Sequence, residues 1–129
     1  MINWDDYENF SEHEFTCRCG CGQADMTPAF MRRLQILRTK CGFAFSINSG
    51  FRCHVHDANE GGKGEHTHGE AVDIGLSGGR AQTVLSQASG CGFNRWGIKQ
   101  HGPHNKRFIH LGTLIHPDYP SPALWSYKK

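Results

Sequence analysis

The 129-residue chain is 37% apolar and 20% charged with a formal net charge of +2, which excludes a disordered segment and a concentrated basic surface for nucleic acid. Its length favours a single domain over 1–129 with one core. No apolar run approaches the roughly 18 residues of a membrane helix, and the acidic start Asn3-Trp4-Asp5-Asp6 has no signal-peptide core, so the chain is expected to stay where it is made.

Residues 1–26 show no sustained period. Trp4, Tyr7, Phe10 and Phe15 are expected to wrap this cysteine-containing segment over the main body. The six cysteines are Cys17, Cys19, Cys21, Cys41, Cys53 and Cys91. An even count suits disulfides in an exported protein, but without an export signal reduced thiols are the default. The run from Cys17 to Cys21 has C-x-C-x-C spacing, which differs from the C-x-x-C knuckle of zinc sites. It reads as a small cysteine-rich turn, with a second metal site there as the alternative, and Cys41, Cys53 and Cys91 read as minor core residues.

Residues 28–41 predict a helix, with Phe30, Leu34, Leu37 and Cys41 on one stripe, Thr27 as cap, Pro28 in the first turn and Gly42 as the stop. Phe43, Phe45 and Ile47 then alternate with smaller residues as a half-buried strand that stops at Ser49-Gly50. Residues 52–70 are polar and glycine-rich, and read as a long loop of the kind that is usually functional. The strand 71–76 puts Val72, Ile74 and Leu76 on one face and Asp73, between small neighbours, on the other. A helix over 80–89 and strands near 93–98 and 107–111 follow. The tail from Pro117 is Pro-rich, with Trp125 and Tyr127 as packing anchors. This order predicts an α+β fold with a small antiparallel sheet and flanking helices.

Nine histidines in a loop-rich chain suggest metal. On one helix, His66 and Asp73 would stand roughly 10 Å apart. A loop turning at Gly69 into a strand lets them converge, and His110, set among Phe108, Ile109 and Leu111, offers a third ligand from a neighbouring strand. Taken singly, His110 reads as a satisfied core residue, Asp73 as a turn carboxylate and His66 as a loop residue. Together they make two imidazoles and a carboxylate with an open fourth position, a hydrolytic zinc arrangement.

The run His66, Gly69, Ala71, Asp73 (H-x-x-G-x-A-x-D), preceded by Ser49-Gly50-Phe51-Arg52-Cys53 and followed by Arg107-Phe108-Ile109-His110, resembles the zinc D-alanyl-D-alanine carboxypeptidase and peptidoglycan endopeptidase family. That family shares its fold with the hedgehog signalling domain and includes phage and prophage lytic peptidases. The similarity runs from about Phe15 to Tyr127.

The resemblance implies one zinc ion on His66, Asp73 and His110, and a substrate-binding role for Arg52, which polarises the scissile carbonyl or steadies the oxyanion. An ion pair of Arg52 with Asp57 or Glu60 is the plainer account. Where relatives place a general base two or three residues before the last ligand, this chain has Phe108 and Arg107. Gly112 stands where many relatives have an Asp, and Gly64 where they have a Ser. His104 is the expected base, with His101 and Glu65 as alternatives. His54, His56, His13 and His116 read as ordinary surface residues, and His68 at most supports the site.

The implied activity is hydrolysis of peptidoglycan stem-peptide bonds next to D-amino acids, with the wall reached after phage lysis or from a virion, and the protein is expected to be a monomer. A catalytically impaired, zinc-stabilised binding module for cell wall or protein is the alternative.

Overall fold

The structure is a computed structural model and describes residues 2–129. The short helix α1 (Glu12–Phe15) follows the N-terminal wrap. Tyr7, Phe10 and Phe15 are buried, and Trp4 stacks on Phe15 with ring centroids 5.3 Å apart. Helix α2 (Pro28–Cys41) forms where stripe, cap and stop coincide. Thr27 Oγ1 accepts the Phe30 N–H at 3.2 Å, Pro28 takes the first turn, where its missing N–H costs nothing, and Gly42 closes the helix at φ 75°. Phe30, Met31, Leu34 and Leu37 are wholly buried, each contributing about 1.5–3 kcal/mol of transfer free energy.

Strand β1 (Ser46–Ser49) begins later than the alternation from Phe43 suggested. Its partner β2 (Ala71–Gly75) is only five residues long, and Ser46 pairs with the last of them. A register shift between Ile47 and Ser49 brings Ser49 opposite Asp73, and such a bulge re-aims a side chain. The stretch 52–70, expected as an unbroken loop, contains helix α3 (His54–Asn59) and a 3₁₀ turn, Glu65–His68. Both are too short for a hydrophobic period to reveal. Helix α4 (Gly78–Ala88) buries Ala81, Val84 and Ala88, close to the expected 80–89. Strands β3 (Arg95–Lys99) and β4 (Phe108–Gly112) match the expected pair.

The tail forms a fifth strand, β5 (Ala123–Ser126). The sheet order is β1-β2-β4-β3-β5. Four strands are antiparallel as expected, but β5 runs parallel to β3, so the sheet of this α+β fold is mixed. Val72, Ile74, Ile109 and Leu111 form the core with the buried faces of α2 and α4. Ala71, Asp73, His110, Gly112, Arg95 and Gly97 are left on the opposite face by the strand period of two. No helix among the described residues is long and apolar enough to cross a membrane.

Candidate metal centre

On that opposite face, pairing sets Ser49, Asp73, His110, Gly97 and Trp125 side by side across all five strands. Asp73 and His110 are direct partners, and Asp73 Oδ1 lies 2.9 Å from His110 Nδ1. His66 enters from the 3₁₀ turn, which ends at Gly69 with φ 70° as the sequence reading required. Its Nε2 lies 3.5 Å from Asp73 Oδ2. One ligand atom from each of the three residues falls within 4.8 Å of the others, and all three residues are buried.

The outer ring nitrogens are held as well. His66 Nδ1 lies 2.9 Å from the Gly50 carbonyl, which can only accept, so Nδ1 donates there and Nε2 is the ring nitrogen turned toward Asp73. His110 Nε2 donates to Glu65 Oε1 at 2.9 Å. Such carbonyl and carboxylate partners fix the tautomer and orientation of metal-binding imidazoles. Two oriented imidazoles and a carboxylate, with no fourth ligating side chain among the described residues, are the donor set of a hydrolytic zinc site, and the residues present fit that ion.

Burial opposes charge on His110, but the hydrogen bonds to Asp73 and Glu65 outweigh it and raise the imidazole to about 9. Burial likewise works to raise the Asp73 carboxyl, yet the neighbouring His66 and His110 hold it well below the usual carboxylate range. The pocket therefore keeps a full negative charge facing the imidazoles.

Arg52 joins the two expected readings. Its Nε donates to Ser49 Oγ at 3.0 Å, Nη1 to Asp57 at 3.2 Å and Nη2 to Asp73 Oδ2 at 3.3 Å. The ion pair with Asp57 is real, and it pins the guanidinium in the cleft rather than removing it. The cleft has a volume of ≈ 720 Å³, and Arg52, Glu65, Arg95, Lys99, Trp125 and Tyr127 contribute to its lining. Burial, and then the charge of Asp73, push the Tyr127 phenol up to about 12, so it keeps its proton at neutral pH.

Several of these residues carried no sequence signal. Trp125 and Tyr127 read as packing anchors, and Arg95 did not stand out. Trp125 lies over His110 with ring centroids 5.1 Å apart, and the Arg95 guanidinium sits 5.1 Å above its ring. Gly97 makes this possible, because a β-carbon there would come within 2.6 Å of the indole nitrogen. Arg95 Nε is 2.9 Å from Glu65 Oε2, but neither atom has an in-line hydrogen bond, so this contact is electrostatic. Gly112, opposite Arg95, leaves the space that Glu65 fills.

His104 and His101 are not brought to the cleft. His104 is exposed in a 3₁₀ turn (His104–Lys106), with Nδ1 3.4 Å from Ser77 Oγ at the start of α4. The strand that carries His110 starts only at Phe108, which leaves that turn beyond the end of the ligand row. Of the three proposed bases, only Glu65 lies in the cleft. His68 faces away and packs on His116 and Tyr119, with centroids 5.5 and 5.8 Å away. His56 lies 3.7 Å from Glu60.

A family model described as Peptidase M15 matches residues 8–112, a span that takes in Arg52, His66, Asp73 and His110 and stops before β5. None of the curated proteins matches the chain.

Proposed function

This chain belongs to the peptidase M15 family of metallopeptidases, and from that premise we propose that it is a zinc peptidase hydrolysing peptidoglycan stem-peptide bonds next to D-amino acids. The observation that carries the reading is the convergence of His66 Nε2, His110 Nδ1 and Asp73 with both outer ring nitrogens already anchored. These three residues would hold the zinc, which supplies Lewis acidity and a water acidified towards neutral pH.

Each remaining role belongs to a side chain of the cleft. Glu65 keeps a proton on His110 Nε2, and the Gly50 carbonyl keeps one on His66 Nδ1. Arg52, fixed at three points, sets a planar positive charge beside the ligand row, where negative charge grows on a scissile carbonyl oxygen. Tyr127 offers an O–H to the same region. Lys63, Lys99, Lys128 and Arg95 give the cleft a positive lining suited to the free carboxylates of stem peptides, and Trp125 and Phe108 form its apolar wall. In this reading the setting is lysis by a phage or prophage, with the wall reached after membrane breakdown or from a virion.

A second reading, a zinc-stabilised binding module for cell wall or protein, is favoured by one observation. Glu65 is engaged by His110 and Arg95, and His104 lies outside the cleft, so the other non-ligand carboxylate of the lining is Glu60, whose side chain is 54% exposed.

Incubating the zinc-loaded protein with purified sacculi and identifying released muropeptides by mass spectrometry separates the two. Hydrolysis is expected with the native chain and not with folded Asp73→Ala. Tight binding to sacculi with no released fragment would replace the first reading by the second.

A further inference from the structure

Away from the cleft, four thiols meet. Cys17 Sγ lies 3.4 Å from Cys19 Sγ and 3.7 Å from Cys53 Sγ, and Cys19 and Cys53 are also 3.7 Å apart. Cys21 completes the group, with all four sulfurs within 4.8 Å of one another. A disulfide requires about 2.05 Å. Four thiolates each about 2.3 Å from one zinc ion stand at the corners of a tetrahedron with edges of about 3.8 Å. The three edges among Cys17, Cys19 and Cys53, at 3.4–3.7 Å, are close to that length and far from a disulfide, and Cys21 stands within 4.8 Å of each.

The backbone is shaped for this convergence. In an extended strand, C-x-C-x-C would put three thiols on one face about 7 Å apart, too far to share an ion. Here the chain reverses: Gly20 and Gly22 take the left-handed conformation at φ 89° and 82°, and the Cys17 N–H donates to the Gln23 carbonyl at 2.7 Å. Glycine adopts such angles without steric cost. Arg18, between the first two thiols, turns outward and donates to the carbonyls of Glu14 at 2.8 Å and Ile47 at 3.0 Å. The fourth thiol arrives from 32 residues downstream of Cys21, where Cys53 precedes α3. Backbone amides point at the sulfurs: the Cys53 N–H donates to Cys17 Sγ at 3.4 Å and the His56 N–H to Cys53 Sγ at 3.5 Å. Amide donors favour the thiolate, the form that binds metal.

We propose that Cys17, Cys19, Cys21 and Cys53 form a second, structural zinc site that staples the N-terminal wrap to the segment carrying Arg52. Four protein sulfurs close the coordination shell and leave no position for substrate, which marks the site as structural rather than catalytic. Binding is not a redox step: the thiols give up protons to solvent as zinc enters. Because Cys53 directly follows Arg52, the staple also limits how far the cleft arginine can drift.

The test uses the full chain carrying Asp73→Ala, which disables the cleft site, so failure of one site is distinguishable from failure of the other. Purified under reducing conditions, this variant is expected to retain one zinc per chain and the native chain two. Replacing that zinc with Co²⁺ should give intense near-ultraviolet thiolate-to-cobalt charge-transfer bands. Adding Cys19→Ser, at an exposed ligand, should weaken the bands and lower affinity at least tenfold, and Cys19→Ser alone in the native chain gives the same readout should Asp73→Ala fail to fold. Cobalt binding without charge-transfer bands, a native chain with one zinc and four freely alkylated cysteines, or recovery of a disulfide among these four from anaerobically purified protein would overturn the proposal.

Discussion

The Glu65 carboxylate occupies the space above Gly112. One of its oxygens accepts the Nε2–H of His110 at 2.9 Å, and a β-carbon built on Gly112 would collide with the other. The carboxylate that holds His110 thus comes from the turn that carries His66, and not from the strand of His110 itself.

Gly112→Asp alone is therefore expected to destabilise the fold, by overpacking worth about 1–3 kcal/mol and by setting two buried carboxylates together. Combined with Glu65→Ala, it should recover much of that loss. A double-mutant cycle by denaturant unfolding measures the coupling, expected at about 0.5–3 kcal/mol, and additive single effects would refute the shared space.

Glu65→Ala removes the anchor of His110 without touching a proposed metal ligand. Loss of such a partner lowers metal affinity by about 10–100-fold, read by competition with a chelator of known affinity. Glu65→Gln keeps an acceptor for the His110 N–H and should lose less.

In the metal-free protein His110 titrates near 9 rather than at its ordinary 6.5, because Asp73 and Glu65 overcome the cost of burial. Its contribution to stability is fully present below about pH 6.5 and fades as pH rises through about 9. Zinc held as proposed would have to displace that proton, so its apparent affinity should climb by up to tenfold per pH unit over the same interval. Melting curves with and without zinc between pH 6 and 10 are expected to diverge, the metal-free form losing ground as the loaded form gains it.

Arg52→Ala would leave Asp57, only 5% exposed at its side chain, without its cation. Breaking a buried pair in this way costs about 3–5 kcal/mol, visible in the denaturant midpoint. Arg52→Lys retains charge but not the three-point hold on Ser49, Asp57 and Asp73. It should keep most of the stability while reducing kcat on stem peptides by about 10²–10³, the magnitude of losing one oxyanion donor.

Trp125→Ala uncovers His110 and removes the ring beneath Arg95. Its main effect is expected in KM for the stem peptide, with Trp125→Phe intermediate. An unchanged KM would separate this wall from substrate binding.

Helix α2, the two strands that meet as β2 and β4, and the candidate metal group His66, Asp73 and His110 were legible in the residues because each rests on local chemistry. A capped apolar stripe, a period of two and a glycine between loop and strand are short-range facts. Which residue stands opposite which is not. Sheet register and a bulge at β1 decide that Asp73 faces His110, that Glu65 fills the hollow of Gly112, that Gly97 admits Trp125, and that Cys53 closes on a turn some thirty residues earlier. His104 looked like a base from its nearness in sequence to His110, yet the 3₁₀ turn before β4 holds it outside the cleft, beside Ser77 at the start of α4. Local preferences thus pointed to the candidate metal group, and long-range pairing chose its companions, because a side chain's neighbours across a sheet come from distant chain that only the packed core brings into register.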